Sequence, residues 1–160
     1  MATAEILLNL AGPGADATNP PGILYRGVCP YLVFDGTTDE LLTRSFRLPS
    51  NYSSGITLIV QYSMVSATTG VVAIRTECMA VSQGENITAD SFDTLEKSSD
   101  STVPGTAGLM KEISFSLTNV DGLVAGDNFT IKFGRENGTT GTNAAGDMAV
   151  WAVSLSYTTT

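Results

Sequence analysis

From Ile56 to Met64 the side chains alternate: Ile56, Leu58, Val60, Tyr62 and Met64 fall on one side, and Thr57, Gln61 and Ser63 on the other, with Ile59 the exception. A period of two belongs to a β-strand with one wet and one buried face, and it excludes an amphipathic helix. The pattern returns at Ile113, Phe115 and Leu117, at Phe129, Ile131 and Phe133, and at Trp151, Val153, Leu155 and Tyr157. On that phase the only tryptophan is a core residue of a central strand. Tyr31 to Phe34, Leu41 to Leu48 and Gly70 to Ser82 read as further strands, and Phe92 to Leu95 as a short one. The link Ala67-Thr68-Thr69-Gly70 predicts a hairpin that pairs Ile56–Met64 antiparallel with the strand after Gly70. No window carries helical periodicity, so the expected fold is all-β, a sandwich of about eight antiparallel strands.

With 160 residues the chain buries one good core and leaves little for a second domain. Residues 11–30 hold four of the six prolines and show no alternation. Residues 1–30 are therefore expected to form an extended N-terminal arm, and residues 31–160 the sandwich domain. The opening MATAEILLNLAG has no basic region and only a short apolar run, which predicts neither a signal peptide nor a membrane span. The four Asn-x-Ser/Thr triplets, at Asn51, Asn86, Asn128 and Asn137, then read as turn chemistry. Cys29 and Cys78 are expected to be free thiols, Cys78 packing as a small hydrophobe on the face of Ile74.

Charge and residue type narrow the function classes. A net charge of -8 repels phosphate backbones and anionic membranes, so neither nucleic acid nor membrane is an expected partner. The chain has no histidine, which removes the usual general base, the serine and cysteine triads and most transition-metal sites. The glycine-rich stretches near Gly12 and Gly138 lack the lysine and helix of a phosphate loop. Asp39 with Glu40, and Asp90 with Asp93, are carboxylate pairs, but neither has the spacing of a calcium loop. No enzyme activity, cofactor or metal is expected. A carbohydrate platform would need exposed aromatics; Trp151, Phe115, Phe129 and Phe133 all lie on apolar phases, leaving Tyr25, Tyr31 and Tyr52.

The order of turns and strands carries a resemblance. Phe46-Arg47-Leu48-Pro49-Ser50-Asn51-Tyr52 precedes the strand Ile56–Met64, and Gly70-Val71-Val72 opens the next. Gly105-Thr106-Ala107-Gly108, then Val124-Ala125-Gly126-Asp127 before Phe129–Arg135, then Ala145-Gly146-Asp147 before a strand closing on Tyr157, complete the series. Over about residues 40 to 158 this resembles a recurrent jelly-roll domain of tailed-phage virion proteins. The resemblance implies a jelly-roll sandwich in a virion component, made in the host cytoplasm and assembled as a homotrimer.

Without a repetitive shaft or second domain, the resemblance points to a decoration or cement protein on the outer capsid surface that bridges neighbouring major capsid proteins. Ile6, Leu7, Leu8, Leu10 and Tyr25 are the candidate contacts, the apolar arm adding a strand or filling a groove on a neighbour. The same segment reads equally well as the first strand of the chain's own sheet. The alternative function is a tail or fibre module that binds a receptor or glycan, and a third is a hydrolase built on Asp90 and Asp93.

Overall fold

The structure, a computed structural model, describes residues 2–10, 14 and 19–160. The GPG stretch around Gly12 lies largely outside them. The described strands are β1 (Thr3–Leu7), β2 (Gly22–Arg26), β3 (Cys29–Phe34), β4 (Leu42–Arg47), β5 (Tyr52–Met64), β6 (Val71–Val81), β7 (Glu96–Lys97), β8 (Ser101–Thr102), β9 (Lys111–Leu117), β10 (Asn128–Glu136) and β11 (Met148–Thr159). Every strand pairing among them is antiparallel.

One sheet runs β2-β3-β11-β5-β9 with β1 also on β11; the other runs β4-β10-β6-β7 with β8 also on β6. Counting from β3 and taking β7 with β8 as one broken strand, the first sheet holds the first, eighth, third and sixth strands, and the second holds the second, seventh, fourth and fifth. Two Greek keys folded over one another give this order, so the fold is a jelly-roll sandwich. Alternation supplies the core: Leu58, Val60, Tyr62, Val153 and Leu155 of one sheet face Ile74, Cys78, Phe129, Ile131 and Phe133 of the other, all at most 1% exposed. The rings of Phe34 and Phe133 meet across the core at 6.4 Å. Burial pushes the Cys78 thiol up to about 12, and both cysteines are free, Cys29 being exposed.

Three expectations are corrected. β5 and β6 do not form a hairpin: β5 pairs with β11 and β9, β6 with β10, so the link over 65–70 crosses between the sheets. A jelly roll needs such arches, and a short glycine-ended link serves an arch as readily as a turn. Phe92–Leu95 is not a strand; the short strands are β7 and β8. There the acidic side chains bond backbone instead, Asp93 accepting from the Asp121 and Thr94 amides and Glu96 from the Thr118 and Asn119 amides. Tyr52 is not exposed; at 8% it packs on Tyr157, ring centroids 5.8 Å apart.

Of the two readings of the N-terminus, the structure shows the strand. β1 pairs with the second half of β11, from Thr3 opposite Thr158 to Leu7 opposite Ser154, and the Leu8 amide continues the ladder to the Val153 carbonyl at 2.8 Å. Leu8 and Leu10 are buried, with Ala4 and Ile6 packed on the same core. Arg44, from the opposite sheet, donates to the carbonyls of Asn9 and Leu10 and fastens the segment down. β2 then forms a hairpin with β3. The stretch 1–30, expected as an arm, thus contributes two strands to the first sheet.

Arg135 continues the inward phase of Phe129, Ile131 and Phe133 and has no exposed surface. It donates to the Gly146 carbonyl at 2.5 Å, the Asn143 side chain at 3.0 Å and the Ala144 carbonyl, holding the loop that leads into β11. Burial pulls its pKa down, and Asp147 and Asp35 oppose that. Beside it, Gly134 is dictated by a close approach: a Cβ there would collide with the Glu40 carbonyl oxygen.

Candidate ligand-binding face

The site begins with one extra residue. Along β11, Val150 lies opposite Tyr62 and Ala152 opposite Gln61, so Trp151 has no partner on β5 and forms a β-bulge. The bulge resets the alternation. Val150 and, after it, Val153, Leu155 and Tyr157 all face the core, while Trp151 turns outward with Ala152. The expectation that Trp151 shares the core face with Val153 is corrected for this reason.

Outside the sandwich, the indole stacks on Tyr31 of β3, ring centroids 4.4 Å apart and planes 24° from parallel. Its N–H donates to the Ser63 hydroxyl at 2.9 Å, which fixes the ring and satisfies its only donor. Both rings are half-buried. The bulge also falls where the neighbour of β11 changes. β3 pairs with Met148–Val150 and β1 with Ser154–Thr158, so Trp151 stands at the gap between two strand ends. A groove of about 290 Å³ opens there, walled by Trp151, Ala152, Pro30, Leu7 and Asn9.

Register extends this face across the sheet. Residues directly opposite share a face, so Leu7, Ser154, Ile59 and Ser114 form one outward row, and Ala152, Gln61 and Glu112 the next. A third row runs Glu5, Ser156, Thr57 and Ser116. The floor is mixed: the short hydroxyl side chains of Ser154, Ser114, Ser156, Thr57 and Ser116 alternate with the aliphatic Leu7, Ile59 and Ala152, beside the polar Gln61 and the carboxylates of Glu5 and Glu112. A second groove of about 290 Å³ lies over these rows, shares Leu7 and Ala152 with the first, and is edged by Glu5, Gln61 and Glu112. The Gln61 amide reaches Glu112 at 3.4 Å. The face offers ring surface for apolar contact and a hydroxyl, amide and carboxylate rim for hydrogen bonds.

The five contact candidates expected from the sequence scatter. Leu8 and Leu10 are inside the chain's own core and Ile6 is packed against it, because β1 follows the alternation of its sheet. Leu7, 73% exposed, is on the outward face described above, and Tyr25, 66% exposed, is on the β2–β3 hairpin. The carboxylate pairs are bound up in local structure: Asp39 bonds Arg75 and the Asn137 side chain, Glu40 accepts from the Asp35 amide, and Asp90 caps the Ser91 amide. Among the described residues no three of His, Cys, Asp and Glu group as metal ligands. Reading the sequence alone misses the Trp151 face, since nothing in Val150-Trp151-Ala152 announces an unpaired residue.

No family model matches the chain, and no curated protein matches it in sequence. Among solved structures it is similar to the isomalto-dextranase of Arthrobacter globiformis T6 complexed with panose, at 18% identity and a TM-score of 0.50. That match covers 96% of this chain but 23% of the isomalto-dextranase, so the chain spans under a quarter of that protein. It is also similar to a family 35 carbohydrate-binding module from Clostridium thermocellum, at 11% identity, a TM-score of 0.45, and coverage of 97% of this chain and 98% of that one. A C-terminal family 6 carbohydrate-binding module of a laminarinase from Zobellia galactanivorans matches at 8% identity and a TM-score of 0.44, covering 96% and 98% of the two chains. At these identities the likeness is one of fold, and the fold of this chain is the jelly-roll β-sandwich.

Proposed function

We propose that this protein is a non-catalytic glycan-binding jelly-roll module whose ligand lies on the outer face of the six-stranded sheet, against Trp151. One observation carries the reading: the only tryptophan, the extra residue of a bulge, lies outside the core stacked on Tyr31, beside an apolar groove that runs on to Gln61, Glu5 and Glu112. The C–H faces of a sugar ring are apolar and slightly positive, so they settle on the electron-rich face of an indole, while the ring hydroxyls need donors and acceptors at the rim. Trp151, Gln61 and Glu112 supply both. The virion resemblance gives this module a setting, a tail or fibre part that recognises a glycosylated cell surface. The likeness to the panose-bound isomalto-dextranase is consistent with a sugar ligand, and the reading rests on the residues of this chain.

A glycan array followed by calorimetric titration tests it. Wild type binds at least one glycan, and Trp151→Ala weakens that binding tenfold or more, a loss of about 1.4 kcal/mol, with the far-ultraviolet dichroism unchanged. Absence of binding to any glycan overturns the reading.

A second reading is favoured by a different surface. The β2–β3 hairpin exposes Ile23, Leu24, Tyr25 and Val28, the last at 93%, an apolar group suited to protein contact. On this reading the chain is a trimeric cement protein that holds major capsid proteins together on the outer capsid surface. Stoichiometric binding to purified capsids, lost in Tyr25→Ser with Val28→Ser, is the expected result.

A further inference from the structure

We infer that the ligand of this face is an uncharged, extended glycan chain running along β11, and that Glu5 and Glu112 turn away glycans bearing carboxylate or sulfate. The inference rests on the glycan-binding reading and names the class of glycan.

Length comes first. From the Trp151–Tyr31 stack to the row of Ser156 and Glu5 the face covers five residue steps of β11, roughly 17 Å at ~3.3 Å per residue. The two grooves meet over Leu7 and Ala152. A site of that length takes several sugar rings end to end, with one against the indole and others over the mixed floor of Leu7, Ile59 and Ser154, rather than a single terminal sugar.

Charge comes second. Glu5 on β1 and Glu112 on β9 stand on opposite sides of a strip four strands wide, β1-β11-β5-β9. At ~4.8 Å per strand spacing the strip is roughly 14 Å across. An anion at the middle of the strip is roughly one screening length from both carboxylates at physiological salt. No lysine or arginine lines either groove. The Lys111 ammonium, although on β9, donates to the Thr102 carbonyl on the other sheet, and Arg26, opposite Cys29 at the turn of the β2–β3 hairpin, stands next to Pro30 at the Trp151 end, outside the strip between Glu5 and Glu112. Sugar hydroxyls are the opposite case. Carboxylates only accept, hydroxyls donate, and Gln61 does both.

The test uses the full chain and two ligand series in low salt: neutral gluco- and manno-oligosaccharides from monosaccharide to hexasaccharide, and oligogalacturonates of matched length. Affinity is expected to climb about tenfold or more from monosaccharide to the longer neutral chains. Oligogalacturonates are expected to bind about tenfold more weakly than their best neutral counterpart. In Glu5→Gln with Glu112→Gln that gap narrows, through tighter uronate binding, because Gln keeps the hydrogen bonds and drops the charge. Equal affinity for the uronates, a gap unmoved in the double variant, or a monosaccharide bound as tightly as a hexasaccharide overturns the inference. Those results leave the glycan-binding reading standing provided Trp151→Ala still loses binding. Silence from both series and from the array removes both.

Discussion

Tyr31 and Trp151 stand opposite one another on neighbouring strands, one step beyond the Leu32–Val150 pair, and their rings meet face to face at the residue that β5 leaves unpaired. Stacked aromatic pairs are worth about 0.5–1.5 kcal/mol beyond the area they bury. A double-mutant cycle of Tyr31→Ala and Trp151→Ala, read by urea unfolding, is expected to give a coupling energy in that range. In glycan titrations the same two changes should also couple, since each ring holds the other upright. Additive losses would show that the two rings act separately.

Removing residues 1–10 takes away β1 together with the buried Leu8 and Leu10. Full burial of a leucine contributes about 1.5–3 kcal/mol, so the chain beginning at residue 11 should lose about 3 kcal/mol or more. A large drop in the urea midpoint is the expected measurement. An unchanged midpoint would mean that the segment packs only loosely on β11.

Arg135 should tolerate almost no replacement. Arg135→Lys keeps a charge but has one nitrogen where three carbonyl-type acceptors, on Gly146, Asn143 and Ala144, now share the guanidinium. Each buried acceptor left without a donor costs about 1–3 kcal/mol. Unfolding experiments should place Arg135→Lys at least 2 kcal/mol below wild type, roughly two such losses less what the ammonium recovers. Faster amide exchange is expected in the loop 143–147.

Glu136 sets part of the acid response. Burial pushes its carboxyl up, but the Lys97 ammonium at 2.9 Å, the Gly138 amide and the Arg75 guanidinium together bring it below the usual glutamate value of 4.5. The folded state therefore releases this proton more readily than the unfolded chain. Its contribution is fully present above about pH 4.5 and is lost as the pH falls through the lowered folded value. Lys97 is half exposed, which holds the pair to about 1 kcal/mol. Glu136→Gln should lower stability by about that amount near neutral pH and flatten the decline below pH 4.5; identical slopes in the two proteins would refute this.

The strands were legible wherever a strand keeps one wet face. Ile113–Leu117 and Phe129–Phe133 alternate cleanly, Ile56–Met64 does so but for Ile59, and all three lie where the pattern places them, in β9, β10 and β5. Arg135 was within reach too, being two residues beyond Phe133 on the same inward phase. The partnership of strands was less legible. A link such as 65–70 closes a hairpin or arches between sheets according to distant pairings that local sequence does not encode. Trp151 was misplaced for a sharper reason: alternation counts residues, and a bulge adds one to the count without changing residue type. The outward rows of Ser, Thr, Gln and Glu were visible as the polar phase of each strand, but only register shows that Glu5, Gln61 and Glu112 border one groove.

Because the bulge is confined between Val150 and Ala152, both halves of β11 keep their apolar residues inside, and the outer surface acquires an indole at no loss to the interior. On the glycan-binding reading, folding and recognition therefore draw on different residues of one strand. Substitutions at Trp151, Gln61 or Glu112 can retune what is bound while the packing of Val150, Val153 and Leu155 is left alone. Loss of the single residue at position 151, by contrast, would close the bulge and restore strict alternation with Val150 and Val153 still inside, so the interior would keep its packing and the outer face would lose its indole.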